Sequence, residues 1–277
     1  MTGAASSPIA PGDTVLLADV GNTRIKLAVV EDHGAGPRRL PRITRRQDLV
    51  SRAFHPANLE TWLAGVAPGP AVLLVASVHE AAAVRLEAAV AEVSATRHRA
   101  VRQRRIGHGD LPLEVLVGEP HRVGIDRLAG AAAAALAKEP GRPAIVVDCG
   151  TATTVNLVSA AGAFLGGAIL PGPALMARAL AEGTSRLPEV GALDRAPPPA
   201  LPGRSTEEAI AAGIGWGIRG SVERLVSEAQ RPFAGTAQVI LTGGSAGLVR
   251  DCLPAAVELP DLVLAGIALA AERACGR

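Results

Sequence analysis

The chain of 277 residues contains no tyrosine, and aromatic residues make up only 2% of it. Lysine is almost missing as well, since it occurs only at Lys26 and Lys138 among 28 basic residues. The arginine-rich stretches 38–52 and 97–105 have no interleaved aromatic residues, and the net charge is only +2. We therefore expect these stretches to be solvated faces or loops, and we expect no nucleic acid partner.

Long apolar runs and an even set of cysteines are also lacking. No apolar run reaches the roughly 18 residues that a membrane helix needs. The three cysteines, Cys149, Cys252 and Cys275, are an odd number, and the first residues do not resemble an export signal. We therefore expect reduced cysteines, no membrane association and a cytoplasmic location, with residues 1–13 as a disordered leader. The length favours two domains.

An apolar strand pattern that ends in an aspartate and a glycine turn occurs twice. The first copy is Thr14–Ala18 followed by Asp19-Val20-Gly21-Asn22-Thr23. The second is Ala144–Val147 followed by Asp148-Cys149-Gly150-Thr151-Ala152-Thr153. Another apolar strand follows each turn, so each copy predicts a β-hairpin. Asp and Gly favour turns for general reasons, but two copies nearly half the chain apart indicate two structurally related lobes.

The first hairpin has groups that suit the phosphates of ATP. Phosphoryl transfer depends mainly on positioning and on neutralising phosphate charge. The turn Gly21-Asn22-Thr23 offers backbone N–H groups, an amide and a hydroxyl. Asp19 suits a hydrated Mg²⁺ ion, which takes one or two carboxylates together with substrate oxygens. Lys26 is either a point charge for the phosphates or an exposed strand lysine.

Two further segments are candidates for ligand contacts. Asp126 lies at a predicted helix start, where it could be the N-cap or a general base that accepts a substrate hydroxyl proton. Later, a predicted strand at Val239–Leu241 leads into Thr242-Gly243-Gly244-Ser245 and a helix from about Leu248. Glycines at such a turn let the backbone approach a ligand closely. This turn resembles the adenosine contact of the actin and sugar-kinase superfamily.

The order of these motifs resembles that of the type III pantothenate kinases, from about Leu16 to Ala271. The specific part is Gly124-Ile125-Asp126-Arg127 followed by the Asp148 motif. The other matching segments are Gly166-Gly167-Ala168-Ile169-Leu170-Pro171-Gly172, Leu187-Pro188, Ser205-Thr206-Glu207-Glu208-Ala209-Ile210 with Gly213, and Thr242-Gly243-Gly244. The resemblance implies an α/β fold of actin-like ATPase architecture, with two ribonuclease-H-like lobes whose mixed sheets are flanked by helices. We expect the lobes at 14–122 and 123–277.

The resemblance also implies an activity, namely ATP-dependent phosphorylation of pantothenate to 4'-phosphopantothenate, the first step towards coenzyme A. It implies ATP with Mg²⁺, a potassium or ammonium ion, and a homodimer whose neighbouring subunit helps to close the pantothenate pocket. By the same resemblance, Asp126 is the catalytic base and Asp148 binds the monovalent cation. The implied ATP contacts are Asp19, Val20, Gly21, Asn22, Thr23, Arg24, Ile25, Lys26 and Thr151. The implied pantothenate contacts are Val117, Gly124, Ile125, Asp126, Thr206 and Arg127, the last near the carboxylate.

Two positions depart from the family pattern, and two other functions stay open. Val117 stands where the family often has a tyrosine that lines the pantothenate pocket, and Cys149 stands where a larger apolar residue is common. We expect Cys149 to pack as a small apolar residue. A regulatory or accessory protein on the same scaffold is one alternative, suggested by the arginine-rich stretches. A kinase of another small alcohol is the second, although Arg127 and Val117 suit a carboxylate and a gem-dimethyl group better than a sugar.

Overall fold

The structure is a computed structural model that describes residues 9–10, 12–32, 38–96, 100–191, 193 and 197–274. The strands within these ranges are β1 (Thr14–Val20), β2 (Arg24–Asp32), β3 (Arg42–Val50), β4 (Ala71–Ser77), β5 (Val101–Arg105), β6 (Ala144–Cys149), β7 (Ala152–Val158), β8 (Phe164–Pro171), β9 (Gln238–Thr242) and β10 (Val257–Glu258). The α-helices are α1 (Pro56–Ala64), α2 (Glu80–Thr96), α3 (Ile125–Ala137), α4 (Pro173–Gly183), α5 (Thr206–Gln230) and α6 (Leu262–Ala274). None of the helices in the described ranges combines the length and the apolar character that crossing a membrane requires.

The chain divides into two compact units. Unit 1 comprises Met1–Glu114, Gly118–Ala137 and Leu262–Arg277, and unit 2 comprises Val115–Val117 and Lys138–Asp261. This division differs from the expected boundary between residues 122 and 123. The reason is that α3 and α6 pack against each other and against strands β1 and β4 of the first sheet. Two helices that follow the expected boundary in sequence are therefore part of unit 1.

The two units contain sheets of the same topology. In unit 1 the strand order is β3-β2-β1-β4-β5, and in unit 2 it is β8-β7-β6-β9-β10. In each sheet the first three strands along the chain pair antiparallel, and the last two are parallel to the first. This mixed order is that of a ribonuclease-H-like lobe, so the predicted fold and its internal repeat are confirmed.

The arginine-rich stretch that follows β2 forms an edge strand of the first sheet. In β3, Ile43 and Leu49 are buried, whereas Arg42, Arg45 and Arg46 are exposed. Charged residues on an edge strand oppose pairing with another chain. The second stretch contributes β5 at the opposite edge, and its residues 97–99 lie outside the described part of the chain. Both stretches therefore include a strand: β3 has the expected solvated face, whereas the residues of β5 are half-buried except for the exposed Arg105.

The segment after the late glycine turn is not an α-helix. It forms two 3-10 turns, Ala246–Leu248 and Arg250–Cys252, in which the N–H groups of Leu248 and Cys252 bond the carbonyl three residues earlier. Gly247 is a poor helix former, and Pro254 has no N–H to continue a helix. The helix predicted from about Leu248 is therefore wrong, although the strand before it is confirmed as β9.

Part of the expected leader is ordered. Residues 1–8 and 11 lie outside the described part of the chain. Ile9, however, is 7% exposed, and the Asp13 carboxylate accepts hydrogen bonds from the Ala10 N–H and from Arg102 on β5. The expected disorder therefore does not apply to Asp13, whose carboxylate is joined to the edge of the first sheet.

Small residues let helices α3 and α6 approach closely in unit 1. Gly266 of α6 lies against the backbone of Ala129 in α3, and a Cβ atom placed on Gly266 would lie 1.9 Å from the Ala129 carbonyl oxygen. Gly130 is different, since a Cβ there would be 3.7 Å from Val263 Cγ2, an ordinary contact. The two helical glycines therefore differ in how much room surrounds them.

Gly266→Ala should lower the free energy of unfolding by about 1–3 kcal/mol, because the added methyl forces α3 and α6 apart. The matched control Gly130→Ala should be neutral or should stabilise by up to about 1 kcal/mol through helix propensity. Urea denaturation of both variants measures the difference. Equal unfolding free energies for the two would contradict the close packing.

Candidate active site

The β1–β2 hairpin of unit 1 presents an open loop beside an acidic and a basic side chain. Asp19 lies directly opposite Lys26 in the strand register, and the Lys26 Nζ is 3.8 Å from Asp19 Oδ2. The Asp19 side chain is 12% exposed and that of Lys26 is 36% exposed. Lys26 is therefore not an isolated surface lysine. The loop residues 22–24 that follow Gly21 are exposed.

A residue that the sequence analysis missed supports this loop from behind. Ser51 is completely buried and follows β3. Its hydroxyl donates a hydrogen bond to the Gly21 carbonyl at 2.7 Å, and its N–H donates to the Thr23 carbonyl at 3.0 Å. Arg85 of α2 donates in turn to the Ser51 carbonyl. A single serine after an arginine-rich strand carries no pattern by which sequence analysis could have found it.

The segment that contains Asp126 lies near the end of β4 in the same unit. Val78 follows β4, and its N–H donates to the Val20 carbonyl at 3.1 Å. A Cβ atom on Gly124 would be 3.6 Å from Val78 Cγ1. Val78 thus connects the Gly124 segment with the end of β1, where Asp19 lies. Unit 1 therefore brings together two of the predicted site segments, the hairpin and the Asp126 segment.

Asp126 is the second residue of α3 and not its N-cap, because the helix begins at Ile125. Its Oδ1 accepts a hydrogen bond from the Arg127 N–H at 2.8 Å. A Cβ atom on Gly124 would be 2.5 Å from the same oxygen, so only glycine leaves the carboxylate this position. Both Asp126 and Arg127 are half-buried. A carboxylate at the first turn of a helix is also favoured by the helix dipole.

Partial burial affects the ionisable side chains of this segment. Burial lowers the pKa of Arg127, and the negative charge of Asp126 opposes that effect. Arginine begins from so high a pKa that it stays protonated near neutral pH. The segment therefore offers a carboxylate and a guanidinium on neighbouring residues, in surroundings where ion pairs are stronger than in bulk water.

The second hairpin, in unit 2, has the same design with a loop one residue shorter. Asp148 lies opposite Thr154 of β7 on one side and Thr242 of β9 on the other. The loop lies between the paired residues Cys149 and Thr153, and the Gly150 N–H donates across it to the Ala152 carbonyl at 3.1 Å. Asp148 is half-buried. An aspartate therefore precedes a glycine loop at the matching position of both sheets.

Two other glycines press against this second loop. The Gly172 N–H donates to the Thr151 carbonyl at 3.0 Å, and a Cβ on Gly172 would be 2.3 Å from the Gly150 carbonyl oxygen. Gly243 has a φ of +97°, and a Cβ there would be 2.5 Å from backbone atoms of Cys149 and 2.6 Å from Asp148 Oδ1. The late glycine turn thus lies directly against the Asp148 loop.

The Cys149 thiol is not suited to nucleophilic chemistry. It is 1% exposed and packs in the core beneath α5 with Val147 and Val155. Burial raises its pKa to about 12, and the charge of Asp148 adds to this effect. The reactive form of cysteine is the thiolate, which is scarce near neutral pH with such a pKa. The expectation that Cys149 packs as a small apolar residue is confirmed.

The remaining predicted substrate residues lie in unit 2. Val117 is half-buried beside Gly166, whose added Cβ would be 3.6 Å from Val117 Cγ1. Thr206 is exposed as the first residue of α5, and Ser205 caps this helix by accepting from the Glu208 N–H at 3.1 Å. Gly124, by contrast, belongs to unit 1. The predicted pantothenate contacts are therefore divided between the two units.

Neither hairpin carboxylate belongs to a preformed cluster of metal ligands. No group of three His, Cys, Asp or Glu side chains that could hold a metal ion occurs in the described ranges. Asp19 and Asp148 are thus single carboxylates beside backbone loops. Such a donor set fits Mg²⁺ that is held largely by substrate phosphates at Asp19. At Asp148, the hydroxyl-bearing neighbours Thr154 and Thr242 fit a cation that takes oxygen ligands.

Two ribonuclease-H-like sheets that each present an aspartate and a glycine loop form the arrangement expected of an ATP-utilising enzyme of the actin-like fold. Comparison with known proteins agrees, since a family model described as type III pantothenate kinase matches residues 15–228. The chain belongs to the type III pantothenate kinase family.

Relatives and a solved structure extend this result. A type III pantothenate kinase of Rhodopirellula baltica is 44% identical over 194 residues, which cover 68% of each chain. One from Alkalilimnicola ehrlichii is 35% identical over 91% of this chain and 96% of its own. The crystal structure of a Campylobacter jejuni protein, described as a conserved Baf family transcriptional activator, has a TM-score of 0.55 at 17% identity. It covers 93% of this chain and 98% of its own, and supports the fold alone.

Gly243→Ala should lower the free energy of unfolding by at least about 1–2 kcal/mol, because alanine is strained at positive φ and its methyl meets the Cys149 backbone. Gly244→Ala is the matched control, since a Cβ on Gly244 would have nothing within 4 Å. Denaturant unfolding of both variants tests this. A Gly243→Ala protein as stable as Gly244→Ala would show that the turn does not press against the Asp148 loop.

Proposed function

We propose that this chain transfers the γ-phosphoryl group of ATP to pantothenate and so forms 4'-phosphopantothenate, the first step of coenzyme A synthesis. The observation that carries the proposal is the Gly124–Arg127 segment. It holds a carboxylate and a guanidinium on successive residues, and Val78 joins it to the end of β1. Membership of the type III pantothenate kinase family supports the choice of substrate.

The first hairpin supplies the phosphate contacts. Lys26 neutralises phosphate charge, and the exposed loop that follows Gly21 donates backbone N–H groups to phosphate oxygens. Asp19 would hold Mg²⁺ together with those oxygens, and the ion would neutralise charge on the phosphates. The 3.8 Å separation between Lys26 Nζ and Asp19 Oδ2 places the two charged groups side by side at this hairpin. Val20, Asn22, Thr23, Arg24 and Ile25 complete the proposed ATP contacts of the hairpin.

Asp126 acts as the general base. Its carboxylate accepts the proton of the pantothenate hydroxyl while the hydroxyl oxygen forms a bond to the γ-phosphorus. The bond from that phosphorus to the bridging oxygen of ADP then breaks, and ADP leaves. The Arg127 N–H bond to Asp126 Oδ1 keeps the carboxylate oriented. General-base assistance of this kind contributes about 10²–10⁴-fold to the rate.

Arg127 binds the carboxylate of pantothenate. Arginine matches a carboxylate with two parallel hydrogen bonds, and the partial burial of Arg127 strengthens the pair. Ile125 and Gly124 shape the same segment. In unit 2, Thr206 and Val117 supply the other pantothenate contacts, with Val117 offering methyl groups in place of a ring and a hydroxyl.

The second hairpin would serve ATP and a monovalent cation. Thr151, in the loop, contacts ATP, and Asp148 holds potassium or ammonium. The paired Thr154 and Thr242 place further oxygen atoms near this carboxylate. Gly243 and Gly244 then allow the close approach of the adenosine. The support is the contact between Gly243 and Asp148, which joins the two parts in one unit.

A homodimer would complete the pantothenate pocket. Three large apolar side chains, Leu116, Leu165 and Ile169, are 54%, 37% and 61% exposed on or beside edge strand β8 of unit 2. Val117 directly follows Leu116 in sequence. Exposed apolar side chains that cluster along a sheet edge mark a surface for association, and a second copy of the chain would cover them.

The structure gives the two alternative functions less support. Arg42 pairs with Glu31 at 3.2 Å and Arg24 pairs with Asp48 at 3.2 Å, so the arginines near β3 are partly neutralised. A regulatory protein that binds DNA through this stretch would need them to face phosphates. A sugar kinase would need several polar contacts for hydroxyl groups, whereas the Asp126 segment supplies one cation suited to a carboxylate.

An assay of ADP release from ATP tests the proposed function. Purified protein should release ADP when pantothenate is added, and potassium should increase the rate. A panel of sugars and polyols should give no more ADP than the background without substrate. Turnover of a sugar with none of pantothenate would support the alternative kinase instead, and an absence of turnover with every alcohol would remove the catalytic proposal.

Asp126→Asn should lower kcat by about 10²–10⁴, because asparagine cannot accept the hydroxyl proton. The affinity for ATP, measured by calorimetry, should stay near that of the unaltered protein. Glu92→Gln, an exposed carboxylate change on α2, is the control and should leave kcat unchanged. An Asp126→Asn enzyme with normal kcat would remove Asp126 from the mechanism.

A further inference from the structure

We propose that Ser51 is a positioning residue that orients the backbone N–H groups of the first hairpin loop towards the ATP phosphates. The proposal rests on the ATP site proposed above. Ser51 is completely buried, lies near the end of the arginine-rich stretch 38–52 and makes two hydrogen bonds to the loop. Its hydroxyl donates to the Gly21 carbonyl and its N–H donates to the Thr23 carbonyl.

The direction of these two hydrogen bonds also sets the direction of two backbone N–H groups in the loop. A trans peptide is planar, and its C=O and N–H point in opposite directions. The Gly21 carbonyl shares a peptide plane with the Asn22 N–H, and the Thr23 carbonyl shares one with the Arg24 N–H. Because both carbonyls point at Ser51, both N–H groups point to the other side of the loop.

The loop itself is open to solvent. Asn22, Thr23 and Arg24 are all exposed, whereas Ser51 is buried behind them. Backbone N–H groups that line one side of a turn can bind an anion. Ser51 therefore holds the N–H donors in place before ATP binds. A flexible glycine loop would instead become ordered during binding, and the entropy lost in that ordering would weaken the affinity.

Arg85 extends this support to the neighbouring helix. It is an exposed residue of α2, and its guanidinium donates a hydrogen bond to the Ser51 carbonyl. The loop, Ser51 and α2 are thus joined in one series of hydrogen bonds within unit 1. Arg85 holds Ser51 in place, so its removal should affect ATP binding in the same direction as removal of the Ser51 hydroxyl, but less.

Ser51→Ala tests the inference, because it removes the hydroxyl and leaves the N–H bond. The dissociation constant for ATP with Mg²⁺, measured by calorimetry, should rise about three- to tenfold, as expected for one lost hydrogen bond. Arg85→Met should raise it about two- to threefold. The thermal unfolding midpoint without ligand should stay within the range of the controls, and the KM for pantothenate at saturating ATP should not change.

Two controls remove comparable bonds elsewhere. Ser94→Ala removes a hydroxyl that donates to the Val90 carbonyl inside α2 at 2.6 Å. Arg142→Met removes an arginine that donates to the Thr236 carbonyl in unit 2 at 3.1 Å. Both should bind ATP as the unaltered protein does.

Each possible result decides one question. If the unaltered protein does not bind ATP, the proposed function fails. If it binds ATP and Ser51→Ala binds equally well, the positioning role fails. A weaker ATP affinity that comes with an unfolding midpoint well below that of the controls would also overturn it, since Ser51 would then be only structural.

Discussion

The antiparallel pairing of the first two strands in each sheet is the constraint on which both hairpin loops depend. β1 and β6 are central strands, so each has a neighbour on both sides. Asp19 is fixed between Lys26 and Ala76, and Asp148 between Thr154 and Thr242. Ladder hydrogen bonds on both sides leave little freedom to the backbone of these aspartates. Each carboxylate therefore stays next to its loop without any support from the loop itself.

The two loops are supported by different means. In unit 1, the hydroxyl and the N–H of Ser51 bond two loop carbonyls. In unit 2, Gly172 and Gly243 lie so close to the loop backbone that no side chain fits between. The first arrangement directs N–H groups outward and suits an anion. The second lies beside Asp148, which is opposite Thr154 and Thr242 in the sheet, and suits a cation. One repeated hairpin thus has two different local chemistries.

Local patterns in the sequence predicted the parts of the fold that are buried on both faces. Strands β1 and β6 are largely apolar runs whose ends are marked by the two Asp-Gly turns, so the internal repeat was predicted from local patterns, whereas the fold class followed from the resemblance to a known family. β3 and β5 were not predicted, because an edge strand such as β3 keeps arginines on its exposed side. The packing of α6 on α3 was also missed, since contact between a helix near residue 130 and one near residue 266 leaves no local pattern.

Candidate site residues could be named from the sequence where chemistry requires a residue type, as at Asp19, Asp126 and Asp148. The site was not predictable where support comes through the backbone, because Ser51 acts on carbonyl groups that every sequence has. Gly124 was only partly predictable. Its motif marked it as a candidate site residue, but only the structure shows that a Cβ atom there would lie 2.5 Å from the Asp126 carboxylate.

The central proposal is that the first hairpin loop binds the phosphates of ATP through groups held in place before the nucleotide arrives. Hydrogen–deuterium exchange with and without a non-hydrolysable ATP analogue and Mg²⁺ tests it most directly. The account predicts that the analogue slows exchange in the segments 20–26 and 149–153. If calorimetry shows that the analogue binds while exchange in segment 20–26 does not change, the phosphates lie elsewhere and the account is wrong.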